Sequence, residues 1–442
     1  MTPILDLITV LAILSVISQL RSIYRTAVIA RDWLGFIGMF VFTFGGLLYE
    51  TALIPQTRIT QFILLLLLVL FSSALTLRSF LSRVSSRLRR TALLPALISF
   101  LLFFVNALMN EQGLASLLMA RLLPTISLIA LTLMLSLVRL TLTDLCRVSV
   151  LAISLVILPS LLMPGVWRAC DKFKCGPFGG LYSGPFESEN TAALFAVIGI
   201  LSIFFCWKSG RSYSGIALMS LVLYATESRT SQLAFLVALL SWGLISITNN
   251  SRSSSYLIVD EQRQSRRLII SLRFFRLLLV SIFASGFYFL VSAEPESFSN
   301  RGGIWIRGLL ALGPDWVMGL GMDRWSFLQS VGLLPPLFPH SQYLLLLFGG
   351  GALAVVALFA LFNCALKTSL VSNEYPAFGT AYIMFLAVMG ITEAFWNPVA
   401  LDGHNLIAVP VIYILATSHA GRSLSAMSEV QKNQPLALKS AI

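Results

Sequence analysis

Two arginines and a histidine of this 442-residue chain stand where a membrane protein ordinarily carries something else, two of them beside the starts of apolar runs and one in the long loop between runs. They are Arg229 in E-S-R-T-S (227–231), Arg301 in F-S-N-R-G-G-I-W (298–305) and His340 in P-P-L-F-P-H-S-Q-Y (335–343). Arginine within a span costs roughly 2.5–3.5 kcal/mol on insertion scales. At a helix N-terminus it also meets the positive end of the macrodipole, so it is misplaced there unless an anion joins it. Helix N-terminal amides and a guanidinium together make a phosphate site. Histidine, whose ordinary pKa is about 6.5, can take or position the proton of a hydroxyl.

Each residue also has a plainer reading. Ser228, Thr230 or Ser231 can cap the helix that follows, and Arg229 can pair with Glu227 or another carboxylate. Arg307 can snorkel. Trp316 and Trp325 read as interfacial anchors, and a lone histidine at a helix start is often structural. Gly302 and Gly303 would let backbone approach a ligand closely. A fourth polar cluster, Y-S-G-P-F-E-S-E-N (182–190), precedes another apolar run. There Ser188 or Asn190 suits an N-cap, and Glu187 and Glu189 suit either the helix dipole or contact with a substrate.

The elements that must position these groups are membrane helices. The chain is 57% hydrophobic and 11% charged, with mean hydropathy +0.86, a composition foreign to soluble domains of this size. Apolar runs of about 17–25 residues recur along it, without the alternation of a membrane barrel. Spans are predicted near 4–20, 34–49, 60–77, 91–108, 122–138, 148–163, 191–207, 214–226, 232–247, 277–292, 341–363, 377–395 and 404–418. The fold class is therefore all-α and polytopic, with 12–13 transmembrane helices. If 4–20 lies flat, as Asp6, Ser15, Ser18 and Gln19 would allow, twelve spans remain. No basic n-region or A-x-A site marks a cleaved signal peptide.

The net charge of +12 is unevenly placed. Residues 78–90 carry five arginines and no acid, 248–276 carry six arginines against two acids, and 208–211 are short and basic. The positive-inside rule sets these in the cytoplasm, so the charge is a topology signal with anionic-lipid contact rather than a nucleic-acid footprint. Residues 164–190, the 227–231 turn, the loop 293–340 and 396–403 then face outward, as does every cluster above. The expected organisation is N-terminal helices 1–163, a core 164–365, C-terminal helices 366–418 and a cytoplasmic tail 419–442. Cys146, Cys206 and Cys364 lie in or beside spans and read as packing residues. Cys170 and Cys175 share an outer loop, where an oxidising exterior would allow a disulfide. No histidine lies near them to make a metal site.

Taken in order, S-G-P-F-E-S-E-N, the E-S-R-T turn, N-R-G-G-I-W with G-L-G downstream (319–321), and H-S-Q-Y before a glycine-ended helix resemble the O-antigen ligase and O-antigen polymerase superfamily of bacterial membrane glycosyltransferases. The resemblance carries motif detail over roughly 180–365. It implies a GT-C-like fold in the bacterial inner membrane, with the active site on the periplasmic side. It also implies transfer of a glycan from an undecaprenyl-diphosphate carrier to a hydroxyl, with inversion and without metal or cofactor. Arg229 and Arg301 would then contact the diphosphate and His340 would sit at the reaction centre. Arg307, Glu187, Glu189, Asn190 and Tyr343 complete the expected substrate-binding set. Glu187, Glu189 or Glu393 could replace His340 as base.

The chemistry agrees with the residues. Departing diphosphate develops negative charge, no D-x-D motif lies on the outer side to hold a divalent cation, and fixed guanidiniums can stabilise that charge. The acceptor is a lipid-linked glycan for a polymerase, which is slightly favoured, or lipid A-core for a ligase. A transporter or flippase is the alternative, although such proteins place polar groups in paired halves near the midplane. A scaffold within an assembly complex would tolerate loss of both arginines.

Overall fold

The computed structural model describes residues 33–51, 94–108, 141–161, 163, 165–170, 174–186, 188–206, 213–250, 261–372, 374–398 and 403–417. The predicted spans 4–20, 60–77 and 122–138, the basic segments 78–90 and 208–211, Glu187 and the tail 419–442 lie outside these residues.

The described chain is an all-α polytopic membrane protein. Its helices are α1 (Trp33–Tyr49), α2 (Leu94–Leu108), α3 (Leu142–Ser160), α4 (Glu189–Cys206), α5 (Tyr213–Ala225), α6 (Arg229–Asn250), α7 (Glu261–Ser292), α8 (Ser297–Leu312), α9 (Met322–Ser330), α10 (Gln342–Val371), α11 (Pro376–Thr392) and α12 (Gly403–Thr417). Among the described residues α3, α4, α6, α7 and α10 are long and apolar enough to cross a membrane, and α1, α5, α11 and α12 are shorter apolar helices. Ten predicted spans thus coincide with helices. The largest shift is α7, which begins at Glu261 rather than near 277, and α3 also begins early, at Leu142 rather than near 148. Thr141 and Asp144 form a reciprocal capping box there, each side chain accepting the other's backbone N–H, at 3.2 and 3.1 Å; such a box starts a helix on its polar side.

Helix α11 is the centre of the bundle. It packs on α4, α6, α7 and α10, and its residues from Phe378 to Gly390 are all buried. Helices α6 and α7 cover it from outside. Only 28% of the apolar window of α6 is buried, against 72% for α4. Leu233, Leu236, Leu240, Leu244 and Ile247 stand exposed along α6, at the three- and four-residue spacing of one helical face. That is a lipid-facing stripe.

The predicted outer loop 293–340 is built, not loose. Helix α8, a short 3₁₀ turn (Gly313–Trp316) and α9 fold back against α10. Helix α10 is interrupted at Gly350 and Gly351, whose φ/ψ of −145°/15° and 67°/−168° leave the helical region. The Phe348 carbonyl at this break accepts from the amides of Leu320 and Gly321 at 2.7 and 3.2 Å. Broken helices are tolerated at membrane depth only when their backbone groups find such partners. Unforeseen was a two-residue antiparallel pair, β1 (Trp167–Arg168) with β2 (Leu181–Tyr182). It closes the 164–190 segment, in which Cys170 and Cys175 form a disulfide.

Candidate active site

The loop that follows α11 gathers the cluster. Arg301 enters it from the start of α8, after Phe298, Ser299 and Asn300 take left-handed φ of 52°, 59° and 70°. Its Nη1 donates to the Thr392 carbonyl and lies 2.6 Å from Glu393 Oε1. A Cβ at Gly302 would overlap the Glu294 carbonyl. The glycine is therefore needed by the chain's own backbone, and not for ligand approach as its type first suggested.

His340 enters from the opposite side, also with positive φ, 47°. Its Nδ1 is 3.8 Å from Glu393 Oε2. The indole N–H of Trp305 donates to Pro339 O at 3.0 Å. Trp325 donates to Leu337 O at 3.2 Å, and Gln329 to Pro335 O and Leu337 O at 2.8 Å each. The segment carrying His340 is thus laced to α8 and α9. Trp325, read from sequence as an interfacial anchor, is 2% exposed; Trp316 is exposed.

The next two residues fasten α10 to the α11 loop. Ser341 donates to Gly390 O at 3.2 Å and accepts from Leu344 N. Gln342 is fully buried; its Oε1 accepts from Phe395 N and Trp396 N at 3.1 and 2.9 Å, and its Nε2 donates to Trp396 O at 2.8 Å. The Gln342 amide itself donates to Glu393 O at 3.1 Å. The backbone of Glu393 is fixed by this clasp.

The third segment joins through a hydroxyl. Thr392 Oγ1 donates to Thr230 Oγ1 at 2.8 Å, which sets the E-S-R-T-S turn against the end of α11. Around it Thr226, Ser228 and Ser231 are buried, and Ser228 bonds Ser231 through their hydroxyls. Arg229 is the first residue of α6, is exposed, and pairs with no carboxylate among the described residues. Glu227 beside it has φ 50°. The five non-glycine residues with positive φ among those described are Glu227, Phe298, Ser299, Asn300 and His340. All fall in the three segments that carry Arg229, Arg301 and His340. Such strain costs of order 1–3 kcal/mol each and persists where the surroundings over-determine it, typically at functional sites.

Glu393 sits at an unfavourable place for an anion, just past a helix C-terminus. Burial pushes its carboxyl up, but the Arg301 guanidinium and His340 outweigh that and hold it below the usual carboxylate range. One carboxylate is thus shared between two cation-forming groups, with a third cation, Arg229, on the adjoining turn.

The other expected residues are distributed elsewhere. Glu189 opens α4 and pairs with Lys174 Nζ at 2.8 Å. Asn190 is buried, and its amide donates to Ser188 Oγ, so Ser188 is the capping residue. Arg307 is exposed on α8, and six residues beyond Arg301 it falls on another helical face. Tyr343, expected to touch substrate, is fully buried between Phe283 and Phe287 and donates to Ala387 O at 2.6 Å. It is a core residue, because the first turn of α10 is enclosed by α7 and α11. Sequence reading named Glu393 only as one substitute base, carried Ser341, Gln342 and Trp305 inside motifs without a role, and passed over Thr392. The one visible signal was an acid ending an apolar run.

No curated protein and no solved structure matches the chain. A family model matches from α5 to partway along α10, the stretch that carries Arg229, Arg301 and His340 but not Thr392 or Glu393. Residues 214–359 match the family model for O-antigen ligase, so this membrane protein carries the domain of the O-antigen ligase and polymerase superfamily, a family of glycosyltransferase-like enzymes.

Proposed function

We propose that the protein transfers a glycan from an undecaprenyl-diphosphate carrier to an acceptor hydroxyl at the outer face of the bacterial inner membrane. The observation that carries this is the convergence of Arg301 and His340 on Glu393, with Arg229 on the turn bonded to the same helix end. Arg229 and Arg301 hold the diphosphate. Arg229 is exposed and pairs with no carboxylate among the described residues, so it meets the anion first. Fixed guanidiniums stabilise charge as it develops on the leaving group, and their forked donors fit phosphate oxygens in pairs.

The acceptor oxygen attacks the anomeric carbon from the face opposite the diphosphate, which inverts the configuration. The carbon–oxygen bond to the diphosphate breaks, and its electron pair leaves on the diphosphate. His340 takes the hydroxyl proton. The arginines supply the charge stabilisation that a divalent cation gives in other transferases. The acceptor is taken to be a second lipid-linked glycan, the product being a longer lipid-linked chain. The compact packing of 293–340, with α8 and α9 folded against α10, supports this choice over a loop reaching towards lipid A-core. A transporter fits less well, because the charged groups gather at one end of α6, α8, α10 and α11.

The test is incubation of purified protein with undecaprenyl-diphosphate glycan in EDTA, with and without a lipid A-core acceptor. Longer lipid-linked chains are expected. Product on lipid A-core would make the protein a ligase, and absence of any product would refute glycosyl transfer.

A further inference from the structure

Diphosphate binding and proton removal require two arginines and a base, yet the cluster spends much of its architecture on holding a carboxylate. Glu393 lies past the C-terminus of α11, where the helix dipole opposes it. Its own carbonyl accepts from Gln342 N, and the residues after it are bonded to the Gln342 side chain. Gln342 follows His340 by two positions, so the clasp fixes the backbones that carry the carboxylate and the histidine relative to each other and leaves the carboxylate itself free to turn. Oε1 faces Arg301 and Oε2 faces His340. None of this is needed for a simple counter-ion.

Building on the glycosyl-transfer reading, we propose that Glu393 is a positioning residue that couples donor binding to acceptor activation. Oε1 orients Arg301 for the diphosphate. Oε2 receives Nδ1–H of His340 and so turns Nε2 towards the acceptor hydroxyl. The present 3.8 Å separation is long, as such contacts are before a reacting complex forms, and tightens within it. When the diphosphate shares Arg301, the guanidinium's pull on the carboxylate weakens and Glu393 swings more fully to the imidazole. In the transfer the acceptor O–H proton passes to Nε2 and the oxygen bonds the anomeric carbon. The diphosphate leaves with the electron pair of the broken bond, and the Glu393 carboxylate stabilises the imidazolium that results.

The experiment is steady-state transfer by the full chain in nanodiscs, with undecaprenyl-diphosphate glycan as donor and a lipid-linked glycan as acceptor. Glu393→Gln is expected to lower kcat about tenfold to a hundredfold while the donor KM stays level or falls, since Arg301 keeps its charge and loses a competitor. Glu393→Asp should recover part of kcat, and Glu393→Gln combined with His340→Ala should be no slower than His340→Ala alone. A Glu393→Gln protein with raised donor KM and unchanged kcat would overturn the proposal, as would wild-type values of both. If Glu393→Gln does not fold, Glu393→Asp decides by the same split: lowered kcat at constant KM supports coupling, and the reverse refutes it. A wild-type protein that yields no product refutes the underlying reaction instead, which separates the two failures.

Discussion

Two ion pairs at helix ends look alike until their helices are considered. Lys174 and Glu189 are 2.8 Å apart with side chains 15% and 16% exposed; Arg301 and Glu393 are 2.6 Å apart at 14% and 13%. Burial therefore does not separate them. Glu189 opens α4, where an acid complements the macrodipole, and it needs only one cation from a disulfide-closed loop. Glu393 follows α11, where the dipole repels it, and it is held by an arginine, a histidine and a glutamine clasp. An acid placed where the backbone favours it is explained by folding. An acid kept where the backbone opposes it points to chemistry.

The contrast can be broken most sharply at Arg301. Arg301→Ala leaves Glu393 buried without its main partner, and breaking a buried pair costs roughly 3–5 kcal/mol. Turnover should vanish and thermal unfolding in detergent should fall together, measured on the same preparation. Next is Arg229→Lys. Arg229 has no carboxylate partner among the described residues, so unfolding should be unchanged while transfer drops tenfold or more on the order of a lost bidentate contact, as read by product formation against donor concentration. Full activity in that variant would sever Arg229 from the diphosphate.

Trp305→Phe removes one hydrogen bond, to Pro339 O, worth about 1 kcal/mol net. It should lower kcat several-fold through His340 with a modest loss of stability. Glu189→Gln should change transfer less than twofold and stability by no more than about 1 kcal/mol; a large loss of donor affinity there would erase the distinction drawn above. The smallest effect concerns pH. The carboxyl of Glu393 lies below its ordinary value of 4.5, so its contribution to stability is complete above that value and fades as pH falls through the lower folded value. Unfolding temperature should lose nothing at this site between pH 8 and 5, and lose stability only on stronger acidification.

The helices were legible because a bilayer demands long apolar runs, which is why α1, α4, α10 and α12 begin within a few residues of their predicted starts. Arg229, Arg301 and His340 were legible because each is out of place for its residue type. Gln342 was not: a neutral amide in an apolar run carries no charge signal, and its value lies in three bonds to residues more than fifty positions away. The burial of Tyr343 was hidden for the complementary reason, since adjacency to a motif says nothing about which way a helix turns its side chains. Glu393 was visible as an acid yet could not be linked to Arg301 by sequence, because it lies 92 positions further along the chain.

The interruption of α10 at Gly350–Gly351 divides that helix into two mechanical pieces. The upper piece is bonded to the Leu320 and Gly321 amides and, through the tryptophans, to the histidine turn. Residues 342–349, α8, α9 and the His340 turn are thereby tied into one hydrogen-bonded unit on one side of the glycines, so the spacing of the reacting groups is set within that unit and does not depend on the straightness of the rest of α10.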